Sequence, residues 1–166
     1  HIGCLPNAIN IEGVFDNDLG LKPFANKHND KFIIITGSVF DGDGKALDDI
    51  MLESWQSDEN GVYSPECGFA RFVPDSLTKK FNLYTLKPGF MNNIDGKAQS
   101  PHILLSISSR GLNMTLNTRI YFEGDDLTSD PLLSVVRNSR NDVSILIAKN
   151  IDADIYLFDI FLQGDR

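Results

Sequence analysis

Short runs of β-branched and aromatic residues, each cut off by glycine, proline or aspartate, follow one another along most of this sequence. Residues 31–40, KFIIITGSVF, open the series and carry apolar side chains on both faces. The DGDGK that follows reads as a tight turn in which Gly42 and Gly44 supply the positive φ that such turns demand. Further strands are expected over 50–55, 69–73, 81–86, 102–108, 118–122, 142–149 and 154–162, with a break at Lys87-Pro88-Gly89 and a polar loop over 91–100. One short helix is expected at 130–136, with Asp130 as its N-cap and Pro131 in its first turn. The count of about eight short strands with almost no helix favours an antiparallel sandwich or barrel over βαβ units. The last run, IYLFDIFL, is apolar on both faces, which predicts a central strand or one covered by another subunit.

At 166 residues the chain has the size of one domain and needs no metal or disulfide staple to build its core. Its 15 Lys plus Arg against 23 Asp plus Glu give a formal charge of -8, which argues against nonspecific binding to nucleic acid or anionic membranes. No apolar run reaches the ~20 residues of a spanning helix. Cys4 and Cys67 match no CxxC pattern and are expected as free thiols in a reducing, cytoplasmic setting, with a single disulfide as the alternative. The HIGCLP start, without an initiator Met, suggests that the native start lies upstream.

The common site signatures fail on physical grounds. The stretch from Asp41 to Leu52 begins like a calcium loop, but has Ala46 at the glycine position and Leu52 where a bidentate Glu is required. No phosphate-binding glycine loop, GxSxG or HExxH occurs. Ser106 and Ser108 sit inside a strand, without the sharp turn that exposes a nucleophile. His1, His28 and His102 share no metal-ligand spacing. Trp55 is expected in the core, and Glu123, Asp125 and Asp126 in a solvated loop.

Nine segments, in order, carry a resemblance. They are VFDGDGKAL (39–47), ESWQSDENGVY (53–63), GFARF (68–72), TLKPG (85–89), PHILLSISSRG (101–111), TRIYFEGD (118–125), DPLL (130–133), LIAK (146–149) and YLFDIFLQG (156–164). Together they resemble the intradiol ring-cleavage dioxygenases, and within them the α-type subunit of the two-subunit members. The resemblance implies an antiparallel β-sandwich over 31–166, preceded by an N-terminal arm over 1–30. It also implies a non-haem ferric iron, Fe(III), held by two tyrosines and two histidines of a β-type partner subunit. Phenolate ligands suit ferric iron, whereas two histidines and one carboxylate suit ferrous iron. The implied reaction cleaves protocatechuate, a catechol bearing a carboxylate, with O2 to 3-carboxy-cis,cis-muconate, as in aromatic compound catabolism.

Mapped onto the family's ligand pattern, the first tyrosine falls on Tyr63 and the second on Met91. The two histidines fall on His102 and Leu104, so two of the four ligands are replaced. The arginine expected near the first histidine maps to Gln99, and a glutamine of the iron-bearing pattern is replaced by Arg119, a second candidate cation that is expected first as an interface or core-edge salt bridge. A thioether and a hydrocarbon cannot replace a phenolate and an imidazole on a hard ferric ion. The resemblance therefore implies a chain with no metal and no catalytic residue of its own. It would lend Arg110, and His1 from the arm, to the substrate in the partner's site within a hetero-oligomer. The guanidinium of Arg110 suits bidentate pairing with a carboxylate. Rival readings are a self-associating scaffold or ligand-binding homologue, an enzyme with a different metal site, and a transthyretin-like carrier.

Overall fold

The computed structural model describes residues 18–21, 24, 32–64, 67–92, 98–109, 115–139 and 142–162. The strands are β1 (Asp18–Leu21), β2 (Phe32–Gly37), β3 (Val39–Phe40), β4 (Ile50–Gln56), β5 (Phe69–Phe72), β6 (Phe81–Leu86) and β7 (Met91–Asn92). They continue with β8 (Ala98–Gln99), β9 (His102–Ser109), β10 (Thr115–Phe122), β11 (Ile147–Asp152), β12 (Ile155–Leu157) and β13 (Ile160–Phe161). Helix α1 (Pro131–Asn138) and a 3-10 turn over Val143–Leu146 lie between β10 and β11. Among the described residues no helix is long and apolar enough to cross a membrane.

Nine strands form one continuous sheet in the order β1-β5-β4-β9-β10-β11-β12-β2-β6, which curls nearly closed around the core. Two small ribbons, β13-β3 and β7-β8, accompany it. The all-β character and scarcity of helix agree with the sequence reading, but the purely antiparallel sandwich of about eight strands does not. Strand β10 runs parallel to β11, β12 to β2, and β13 to β3. A parallel neighbour needs a crossover, and residues 123–146, with α1 and the 3-10 turn, provide it between β10 and β11. The sheet changes partners along β11. Ile147 and Ala148 pair with β10, whereas Lys149 and Asn150 pair with β12.

The inner face is built by strand alternation. Ile33 and Ile35 of β2, Leu52 of β4, Phe81 and Leu83 of β6, Ile103, Leu105 and Ile107 of β9, and Ile120 and Phe122 of β10 join one buried cluster. Each such side chain contributes about 1.5–3 kcal/mol by leaving water. Gly37 lets the chain after β12 pass closely, since a Cβ there would lie 1.9 Å from the Phe158 carbonyl oxygen. That approach allows the Phe158 amide to donate to the Thr36 carbonyl at 2.8 Å.

Several local expectations change. Gly44 takes a positive φ of 81°, but Gly42 does not. Asp41 holds that turn by accepting from the amides of Asp43 and Lys45, so its carboxylate serves the hairpin. The loop expected at 91–100 contains β7 and β8. The strand expected over 142–149 begins only at Ile147, because Asp142 accepts from the Ser144 amide and starts a 3-10 turn. The run 154–162 splits into β12 and β13, with β12 between β11 and β2 as its two-sided apolar pattern suggested. Asp125 is no solvated acid, because it pairs with Lys87 at 2.6 Å.

Cys67 is disulfide-bonded, which corrects the expectation of two free thiols. It is buried in a second small cluster with Phe24 and Leu86, and the Phe24 amide donates to its carbonyl at 2.7 Å. Spacing alone gives no sign that Phe24 packs there. Cys4, His1, His28 and Arg110 lie outside the described residues.

Candidate functional site

Strands β4, β9 and β10 pair in register, so residues directly opposite share a face. Trp55 lies opposite Leu104, and Leu104 opposite Arg119. Two residues along, His102 lies opposite Tyr121. The outer face of the sheet therefore carries Trp55, Leu104 and Arg119 in one row, with His102 and Tyr121 beside it under the loops. Trp55 is 37% exposed and packs edge-on against Phe69, not in the core as expected.

Two loops bring the remaining positions to this face. The turn at 58–62 is closed by Asp58, whose carboxylate accepts from the amides of Asn60 and Val62. The Asp58 carbonyl also accepts from the Gly89 amide at 2.9 Å, which docks the turn on the Lys87-Pro88-Gly89 loop. A Cβ built on Gly61 would lie 3.7 Å from Met91 Cγ, so Tyr63 and Met91 are held by adjoining segments. Met91 pairs with Gln99 across the β7-β8 ribbon.

Arg119 joins these groups. Its Nη1 donates to Gln99 Oε1 and to Tyr121 Oη, each at 3.2 Å. Tyr121 Oη in turn donates to Asp130 Oδ1 at 3.1 Å. Asp130, fully buried, also accepts from the amides of Ser100, Leu132 and Leu133. The expected N-cap is thus also the anchor of the site's floor. Sequence reading missed this second task, and it missed Tyr121 altogether. The available signal was a tyrosine two residues past Arg119, on the same face of its strand.

The electrostatics follow from burial and from that guanidinium. Burial pushes the Tyr63 hydroxyl above its ordinary value, with Arg119 pulling the other way. Burial pushes Tyr121 up to about 12, against the opposing bond and charge of Arg119. His102 is held below its ordinary value by burial, opposed by its bond to the Ser100 carbonyl, with Arg119 adding to the fall. A carbonyl only accepts, so the 2.8 Å contact puts the proton on Nδ1 and the lone pair on Nε2.

Tyr63, Met91, Gln99, His102, Leu104 and Arg119 therefore gather at one place, while Arg110 and His1 lie outside the described residues. The gathered set does not fit a ferric ion. One phenol and one imidazole remain, beside a thioether, a hydrocarbon and a guanidinium whose charge already acts on both donors. Among the described residues no group of three or more His, Cys, Asp or Glu side chains is disposed to hold a metal.

A family model described as a dioxygenase matches residues 8–164. The chain is 36% identical over 145 residues to the protocatechuate 3,4-dioxygenase alpha chain of Pseudomonas putida, a match covering 80% of this chain and 72% of that one. It is 27% identical over 152 residues to the beta chain of the same enzyme from Burkholderia cepacia, covering 80% and 64%. The dioxygenase domain of a dioxygenase–carbohydrate-binding protein fusion from Streptomyces sp. SirexAA-E superposes with a TM-score of 0.62 at 21% identity, over 84% of this chain and 86% of that one. This chain belongs to the intradiol ring-cleavage dioxygenase family, with the protocatechuate 3,4-dioxygenase alpha chain among its similar relatives.

Proposed function

We propose that this chain is the non-iron-binding α subunit of a protocatechuate 3,4-dioxygenase. It supplies pocket wall and substrate contacts to a ferric site carried by an iron-bearing β-type partner. The observation that carries this reading is the joint replacement at one place of two metal-ligand positions, by Met91 and Leu104, in a chain 36% identical to an alpha chain. A thioether and a hydrocarbon leave a hard ferric ion without half of its donors. Similarity to both an alpha and a beta chain supports an assembly of related subunits.

In this reading residues 1–30 form an arm and 31–166 the dioxygenase-like domain. His1 lies at the entrance, and Arg110 pairs with the substrate carboxylate in the partner's site. Protocatechuate and O2 give 3-carboxy-cis,cis-muconate, with both oxygen atoms entering the product as the ring opens between the hydroxyl-bearing carbons. The test is oxygen uptake with protocatechuate for this chain alone, for the β-type partner alone, and for the two co-purified. Uptake strongest in the mixed sample is the expected result. Turnover by the isolated chain contradicts the reading, and inactivity of the mixture favours the scaffold alternative.

A further inference from the structure

Among the described residues, partly buried cations are paired, with one exception. Arg71 meets Glu53 at 2.8 Å, Lys79 meets Asp48 at 2.6 Å and Lys87 meets Asp125 at 2.6 Å. Arg119 is also partly buried, yet no carboxylate among the described residues lies within ion-pair range of it. This holds in a chain with 23 acids and a formal charge of -8. Its two acceptors, Gln99 Oε1 and Tyr121 Oη, are neutral and both sit on Nη1. The Nε and Nη2 donors make no hydrogen bond to the described residues. A desolvated charge with only neutral acceptors is unfavourable, and an anion on those donors offsets the cost.

The row across the strands from Arg119 is apolar. Leu104 is directly across on β9, Trp55 is across from Leu104 on β4, and Phe69 is across from Trp55 on β5. Leu104 and Trp55 are each 37% exposed. Neighbouring strands are about 4.8 Å apart, so the shelf from Arg119 to Trp55 is roughly 10 Å long. That is the span of one carboxylate and one ring-sized apolar body.

We propose that this row is a binding site of the chain's own for a small carboxylate with an apolar body. The carboxylate pairs with the Nε–Nη2 edge of Arg119, and the apolar body rests on Leu104 and Trp55. The site needs neither iron nor a partner subunit, so it stands apart from the subunit reading and from Arg110. An acidic side chain of another protein offers the same carboxylate chemistry, and the experiment separates it from a free acid.

Trp55 is the single tryptophan of the chain, so its fluorescence reports on the shelf directly. The full chain is titrated with benzoate, and in parallel with the neutral isostere benzamide. Benzoate is expected to give a saturable change at least about tenfold tighter than benzamide, the margin expected of a charge-assisted pair. Arg119→Gln is expected to remove that margin. Because Arg119 also holds Gln99 and Tyr121, a second variant leaves it in place. Leu104→Glu sets a carboxylate beside the guanidinium from the next strand and is expected to abolish benzoate binding. Equal responses to benzoate and benzamide, as expected if the guanidinium is reserved for another protein's side chain, overturn the proposal. So does undiminished benzoate binding by Leu104→Glu.

Discussion

Replacing Asp130 by alanine is expected to cost about 3–7 kcal/mol of stability, a large part of the roughly 5–15 kcal/mol that holds a domain together. Asp130 is fully buried and accepts four hydrogen bonds, from the amides of Ser100, Leu132 and Leu133 and from the Tyr121 hydroxyl. Loss of the helix cap alone costs about 1 kcal/mol. The Ser100 amide and the Tyr121 hydroxyl are then left buried without acceptors, at about 1–3 kcal/mol each. Asp130→Asn keeps the shape and an acceptor oxygen, so it is expected to lose less than half as much. Urea unfolding measures both, with an unchanged slope indicating a change in stability alone. A loss below about 1 kcal/mol for Asp130→Ala contradicts the role given to this residue.

Arg110→Met, assayed in the co-purified assembly, is expected to lower kcat/KM for protocatechuate by roughly a hundredfold. A bidentate, charge-assisted pair with a carboxylate is worth about 3 kcal/mol, which converts to about that factor. The discriminating control is unsubstituted catechol, which has no carboxylate to lose. Its kcat/KM is expected to stay within about threefold of the parent assembly. A drop of equal size for both substrates assigns Arg110 to structure and removes it from substrate contact.

Strands and caps were legible where local chemistry decides them. Residues 81–86 alternate cleanly and form β6 with the expected bounds, and Asp130-Pro131 starts α1 as its capping chemistry requires. Pairing direction was not legible. The parallel β10-β11 pair depends on how residues 123–146 cross over, and no residue pattern within either strand encodes that. The face of Trp55 was misread for a related reason. In IMLESWQ the inward residues are Ile50, Leu52, Ser54 and Gln56, so two polar side chains face in and the tryptophan faces out. Gln56 tolerates burial because it donates to the carbonyls of Ser57 and Leu86 and accepts from Thr85 Oγ1. Those partners lie up to 30 residues away.

The candidate site shows the same division. Tyr63, Met91, His102 and Leu104 were identified through the motifs that frame them, and the register of β9 with β10 sets two of them beside Arg119 and Tyr121. Arg119 was legible as a candidate cation, but not its bonds to Gln99 and Tyr121, nor that no carboxylate among the described residues pairs with it, because those depend on how β8, β9 and β10 come together.

The central claim is that this chain contributes to a dioxygenase site without holding its iron. The most direct test is elemental iron per chain, measured on the isolated chain after exposure to ferric iron and on the assembly co-purified with its β-type partner. The account predicts essentially no iron in the isolated chain and about one per pair of chains in the assembly, since Met91 and Leu104 cannot serve a hard ferric ion. Stoichiometric iron in the isolated chain contradicts it.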